Sequence, residues 1–266
     1  MTLICPVCGK ALLGDGRVWR CPAGHSFDVA RQGYVNLLPV QQKHSADPGD
    51  TRAQVLSRRA FLEGGFYAPI AQALCDVAKT LPISGEVLDV GCGEGYYSVR
   101  VAQALVQPLT GLDISREAVR YAAGKYKGPQ WICATAAHIP VADGSAGLLM
   151  SLFALTLPEE FRRVLSDGGW FFQVLAGEDH LLGLKSIIYP ELRRKEKVTV
   201  PTLPGFTLEQ TREIRFSFTV TGAQVGNLLC MTPHVYRIGK EGARRLEETA
   251  SLTDTASCVL NVYRRT

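Results

Sequence analysis

Glu86-Val87-Leu88-Asp89-Val90-Gly91-Cys92-Gly93-Glu94-Gly95-Tyr96-Tyr97 is the stretch on which the fold turns. Glu86 to Val90 reads as a strand, the alternating glycines as a tight loop, and Tyr96 to about Leu105 as a helix. The same alternation continues downstream. Leu109 to Ile114 reads as strand two, Arg116 to Lys125 as a helix, Gln130 to Ala134 as strand three and Gly147 to Phe153 as strand four. Trp170 to Leu175 reads as strand five, entered through a Gly168-Gly169 turn. Short β-branched runs alternating with helical segments specify an α/β, doubly wound parallel sheet. In the final third, the runs at 216–220 and 258–263 read as an antiparallel hairpin closing that sheet.

Ligands of such sheets bind at the carboxyl ends of the strands, where glycines let backbone approach closely. The loop reads G-x-G-x-G at Gly91, Gly93 and Gly95, without the two-residue gap before the last glycine of the dinucleotide fingerprint. Asp113 ends strand two, where a carboxylate can accept both hydroxyls of an adenosine ribose. Its competing reading is a cap for the helix after Ser115. Asp89 stands just before the loop, placed to organise the turn and the amino end of a methionine group.

The start of the chain has a different chemistry. Cys5-Pro6-Val7-Cys8 is followed by Cys21 and then His25. Two thiolates two residues apart grip one metal from a single knuckle, and a Cys/His pair on the next turn completes a tetrahedral zinc site. Gly14-Asp15-Gly16 reads as a hairpin turn and Val18-Trp19-Arg20 as a returning strand. With four protein ligands the zinc is structural, supplying what so small a core cannot. The other five cysteines are scattered and read as small apolar fillers.

Between the two lies a stretch with neither pattern. Residues 41–50 read as a polar loop, and Arg52 to Leu62 as a helix carrying Arg52, Arg58 and Arg59, suited to a phosphate backbone or simply to solvent. Phe66-Tyr67 opens the next helix, where Tyr67 either lies against a cofactor or belongs to the core. Past strand five, Gly177 to Leu182 reads as the start of a helix, with His180 facing a ligand carboxylate or water. The chain thus divides into a zinc-binding module at 1–35, a linker loop and helices at 36–80, and the α/β domain at 81–266. With 46% hydrophobic and 20% charged residues, a net charge of +4 and no long uncharged apolar run, neither a membrane span nor a signal peptide is expected. A cytoplasmic protein, free to meet an acidic partner, is the expectation.

Leu88-Asp89-Val90-Gly91-Cys92-Gly93-Glu94-Gly95 with Asp113 resembles motif I and the following acid of class I methyltransferases, which implies S-adenosylmethionine as cofactor and a Rossmann-like sheet. Ala134-Thr135-Ala136 departs from the acidic residue that many relatives carry after strand three. No Asn/Asp-Pro-Pro-aromatic run follows strand four, which disfavours methylation of an exocyclic amino group. Across essentially its whole length the chain resembles the bacterial 23S rRNA (guanine-N1)-methyltransferase family. The motifs that carry this are the Cys5/Cys8/Cys21/His25 set, Phe27-Asp28, Gly33 to Leu38, Asp47-Pro48-Gly49-Asp50, Arg59 to Leu62, Gly91 to Tyr97 and Met231-Thr232-Pro233. The resemblance implies zinc on the four N-terminal ligands and cofactor contacts from Tyr67, Glu94-Gly95 and His180. It also implies methyl transfer to N1 of a guanine in a domain II hairpin loop, a homodimer whose cleft holds the RNA, and in some members resistance to tylosin-type macrolides. Phe153-Ala154-Leu155-Thr156 differs from the family in placing Leu155 where relatives have proline. The sequence assigns no general base. The rival reading is a small-molecule methyltransferase with a structural zinc knuckle.

Overall fold

The computed structural model describes residues 1–42, 48–192 and 196–266. Part of the polar loop expected at 41–50, residues 43–47, lies outside them. One eight-stranded sheet organises the molecule. Five parallel strands form its centre: β5 (Glu86–Val90), β6 (Leu109–Asp113), β7 (Gln130–Cys133), β8 (Ala146–Leu152) and β9 (Leu165–Ala176). β5 is flanked by β6 on one side and β8 on the other, so the winding reverses at β5. A crevice opens above such a switch point, and the glycine loop leaves β5 into it. β11 (Ser251–Arg265) runs antiparallel between β9 and β10 (Phe206–Thr221). At the opposite edge, β4 (Tyr34–Asn36) adds a parallel strand to β7.

The helices α1 (Arg52–Glu63), α2 (Ala68–Thr80), α3 (Tyr96–Leu105), α4 (Arg116–Lys125), α5 (Pro158–Val164), α6 (Leu182–Ile188), α7 (Ala223–Cys230) and α8 (Lys240–Glu247) complete the layers. α3 and α4 have the expected bounds because their signals are local. For α4, Ser115 caps the N-terminus by accepting from the Ala118 N–H, and Lys125 lies in the last turn. α1 begins with a capping box between Thr51 and Gln54.

Three expectations need correction. Strand five starts at Leu165, not Trp170. Pairing with β8 jumps from Ala146–Leu165 to Leu148–Trp170, so residues 166–169 form a bulge within the strand, with Gly168 at φ 68°. The helix after β9 starts at Leu182, leaving His180 in the preceding turn, because Asp254 of β11 takes the N–H groups of Gly183 and Leu184. β10 and β11 do pair along their lengths, but α7 and α8 fill residues 222–250 between them, so they are not joined by a tight turn.

Each face of the sheet has its own core. On one, α1 to α4 and α6 to α8 contribute Phe61, Leu74, Val101, Leu184 and Leu228. On the other, Leu88, Val90, Leu112 and Ile132 are covered by α5 and by the N-terminal segment through Leu3, Cys5, Leu12 and Cys21. The connection from β7 to β8 has no helix, and the N-terminal segment fills that place. Leu3 bridges to Val141, the Ile4 N–H donates to the Pro140 oxygen, and the Ala142 N–H donates to the Thr2 oxygen.

Candidate functional site

Two knuckles build the N-terminal cluster. In the first, the Cys5 N–H donates to the Lys10 oxygen and the Gly9 N–H to the Cys5 oxygen, with Gly9 at φ 71°. In the second, Cys21 and His25 pair the same way around Gly24, at φ 89°. β1 (Leu13–Gly14), β2 (Val18–Arg20) and β3 (Ser26–Asp28) hold the knuckles together. All four ligand atoms lie within 4.8 Å of one another. Cys8 Sγ is 3.7 Å from Cys21 Sγ, and His25 Nδ1 is 3.5 Å from Cys5 Sγ and 3.3 Å from Cys21 Sγ. A tetrahedral zinc with Zn–S of about 2.3 Å and Zn–N of about 2.05 Å has S–S edges near 3.8 Å and S–N edges near 3.5 Å. The cluster therefore fits zinc in donor type and in dimension. Burial pushes the Cys21 thiol up, but N–H groups of His25 and Ala23, with the His25 ring and Cys8, outweigh it and bring it down to about 6.

The second site lies in the crevice above β5. Gly91, Gly93 and Gly95 adopt φ of 83°, 56° and 82°, which side-chain-bearing residues rarely take. Space forbids side chains as well: a Cβ on Gly95 would stand 2.5 Å from the buried Trp131 indole, and one on Gly91 2.8 Å from Ala154 Cβ. Asp113 both shapes the loop and faces the crevice. Its Oδ2 accepts the Gly93 N–H and its Oδ1 the Ser115 N–H, each at 2.8 Å. Asp113 thus braces the N-cap residue while Ser115 itself caps α4, and each carboxylate oxygen keeps a further acceptor position. Burial pushes its carboxyl up, against the pull of these N–H groups and of Arg58.

Two further acids are held under the loop. Asp89 is 2% exposed, and Ser98 donates to its Oδ2 while Oδ1 has no hydrogen-bond partner among the described residues. Burial pushes this carboxyl up to about 7. Glu94 is equally buried, with both oxygens unpartnered among the described residues. Unanswered buried acceptors are costly, and a ligand carrying an ammonium and hydroxyl groups would answer them. The crevice fits S-adenosylmethionine on that ground.

Tyr67 and His180 meet beside it. Tyr67, buried among Phe61, Phe216 and Phe218, places its hydroxyl 3.4 Å from His180 Nε2. His180 Nδ1 accepts the Ser257 N–H at 3.2 Å, so the neutral ring carries its proton on Nε2. Burial first, then Lys185 and Lys197, push its pKa down to about 4. Phe153 lies over the same ring at 6.0 Å, 41% exposed and at φ 55°.

Arg58 and Arg59 both have partners within the fold. Arg58 Nη2 is 2.7 Å from Asp50 Oδ2 and donates to the Met231 oxygen, with the guanidinium beside Gly93. Arg59 donates to Glu63, which also takes Lys125. Residues 48–50 close over the end of β6, where Ser115 Oγ donates to the Asp50 oxygen at 2.7 Å. The placement of Arg58 over the glycine loop, and the packing of Trp131 and Ala154 on it, had no local sequence signal, because each depends on contacts across the fold.

A parallel sheet reversed at a G-x-G-x-G loop, an acid closing the neighbouring strand and an antiparallel β11 inserted beside β9 define a class I, S-adenosylmethionine-dependent methyltransferase. The comparisons agree: residues 87–169 match the family described as "Methyltransferase domain", and residues 3–46 the zinc-ribbon family described as "RlmA, N-terminal". A Streptomyces fradiae protein named 23S rRNA (guanine(748)-N(1))-methyltransferase is 32% identical, over 98% of this chain and 96% of that one. A Micromonospora griseorubida protein, provisionally named 23S rRNA (guanine-N(1)-)-methyltransferase, is 36% identical over 68% of each chain. A Bacillus subtilis protein with the same provisional name is 28% identical over 93% of this chain and 91% of that one. The chain belongs to the 23S rRNA (guanine-N1)-methyltransferase family.

Proposed function

We propose that this protein transfers a methyl group from S-adenosylmethionine to N1 of a guanine in a hairpin loop of domain II of 23S rRNA. The observation that carries the reading is Phe153. An aromatic ring is held exposed in left-handed backbone, between Ala154 on the glycine loop and the His180–Tyr67 pair. Strain of this kind concentrates at functional sites, and an exposed ring at the mouth of a methyl-transfer crevice is a stacking shelf for an unpaired base.

Asp113 would take the ribose hydroxyls and Asp89 the amino end of the cofactor. Gly91, Gly93, Glu94 and Gly95 would line its path, with Tyr67 and His180 at its methionine end. Bound there, S-adenosylmethionine supplies a sulfonium methyl group. Cys5, Cys8, Cys21 and His25 would hold the zinc. Guanine N1 carries a proton at neutral pH, so the site has to align N1 with the methyl and let that proton leave. His180 is not the base, since Nδ1 is already occupied by the Ser257 N–H and Nε2 bears hydrogen. Its role is to orient the Tyr67 hydroxyl and the Phe153 ring.

The test is incubation of the purified protein with labelled S-adenosylmethionine and unmodified 23S rRNA, followed by nucleoside analysis. The expected product is 1-methylguanosine in a domain II loop. Label appearing only in a small-molecule pool would overturn the reading in favour of a small-molecule methyltransferase. The family resemblance also supports a cytoplasmic homodimer that clasps the RNA, and tylosin-type macrolide resistance. Sedimentation of the protein alone and drug susceptibility of a deletion strain test these two features.

A further inference from the structure

Two lysines stand beside the site, each held by a main-chain oxygen rather than paired to a carboxylate among the described residues. Lys185, half-buried on α6, donates from Nζ to the main-chain oxygen of His180. Lys197, exposed, donates from Nζ to the main-chain oxygen of Gly177 at 3.0 Å. Both oxygens belong to the single turn 177–180 at the carboxyl end of β9, the turn that presents His180 to Tyr67 and Phe153. The two ammonium groups therefore bracket one short segment at the mouth of the crevice.

The two acids whose charge reaches Lys185 through space, Asp254 and Asp179, each have nearer partners. Asp179 pairs with Arg215 at 2.9 Å. Asp254 accepts the N–H groups of Gly183, Leu184 and Thr255. Among the described residues, neither lysine has a carboxylate within ion-pair distance. His234 meets the Tyr189 hydroxyl at 2.8 Å, and burial first, then Lys185, Arg237 and Lys197, push its pKa down to about 4, so the ring adds no charge of its own. Satisfying two turn carbonyls needs only neutral donors. Two mutually repelling ammonium groups, one of them half-buried, cost free energy unless an anion lies between them.

We propose that Lys185 and Lys197 form a phosphodiester-binding site that holds the RNA strand flanking the target nucleotide. This rests on the rRNA reading above. Turning a base into a pocket leaves its flanking phosphates at the entrance, and an ammonium is a point charge that suits a phosphate oxygen without fixed fork geometry. The lysines would register the strand while Phe153 holds the base.

The test compares wild type with Lys185→Gln, Lys197→Gln and the double variant. For each, affinity for an unmethylated, protein-free 23S rRNA domain II fragment is measured across a salt series, together with S-adenosylmethionine affinity and steady-state kinetics. Each lost single-strand phosphate contact lowers the log–log salt slope by about 0.7, so the double variant should lose about 1.4. RNA affinity near 0.1 M salt should fall on the order of tenfold. KM for RNA should rise, with kcat and cofactor affinity near wild type, and Lys→Arg at both positions should restore binding. An unchanged slope with unchanged RNA affinity overturns the proposal. So does weakened cofactor binding at unchanged slope, which would reduce the lysines to props for the His180 turn. Wild-type protein that leaves the RNA unlabelled overturns the methylation reading instead, and the phosphate site is then decided by the binding slope alone.

Discussion

At the scale of single residues, the crevice is defined by groups that admit no substitute. Gly111 shows this outside the glycine motif: a Cβ there would stand 2.3 Å from the Trp131 ring, which is 1% exposed. Gly111→Ala should cost about 1–3 kcal/mol by overpacking, read as a lower urea midpoint. Asp113→Ala should weaken S-adenosylmethionine binding by about 1.5–3 kcal/mol through lost charge-assisted hydrogen bonds, checked by calorimetry. His180 makes a pH prediction. Burial pushes its pKa down to about 4 in the fold, from the 6.5 of an ordinary histidine. The stability it contributes is thus complete above pH 6.5 and is lost as pH falls toward 4. Wild type should lose up to about 1.4 kcal/mol per pH unit across that window relative to His180→Gln, seen in paired urea titrations at pH 7 and 5. Asp89, the glycines and Asp113 were legible in the sequence because a strand end and a tight turn constrain their own residues. Phe153 over His180, and Arg58 over Gly93, join segments far apart in the chain, and no local pattern encodes such a meeting.

At the scale of elements, legibility tracks how local the cause is. α3 and α4 announce themselves by glycine, cap and periodicity. The early start of β9 was hidden because residues 166–169 look like a turn and become a bulge only when β8 lies alongside. The β4 edge strand was likewise invisible: three residues, Tyr34 to Asn36, have no strand signature until β7 offers them a ladder. α1 tests a local cause directly. Its box joins the Thr51 and Gln54 side chains to each other's backbone N–H groups, and the Gln54 side chain also accepts from Tyr236. Thr51→Ala should cost about 1 kcal/mol, with the loss showing as faster hydrogen exchange in the first turn of α1. Because α1 carries Arg58 onto the glycine loop, cofactor affinity should fall with it.

At the scale of the whole molecule, the zinc ribbon is part of the wall of the catalytic domain. Leu3 and Leu12 lie on the same apolar face as Leu88, Leu112 and Ile132, and β4 continues directly into the main sheet. Removing the metal with a chelator, or substituting Cys5→Ser, should therefore lower the melting temperature of the entire protein in one transition. A separate early transition confined to the ribbon, with the main transition unmoved, would show that the face closes without it. Such coupling cannot be read from spacing, because the cysteines specify a metal and say nothing of what the module leans on. The position of β11 has a consequence for synthesis. Among the described residues β10 pairs with no strand except β11, and β11 is its route to β9. Until residues 251–265 have left the ribosome, β10 is a long naked ribbon for roughly two to nine seconds at about 5–20 residues per second, and β9 is an open edge for about twice as long. The nascent chain cannot reach its final form piece by piece. The sheet is completed only when β11 is threaded into a gap between two strands made before it, and chaperone occupancy during that interval should be read most strongly on β10.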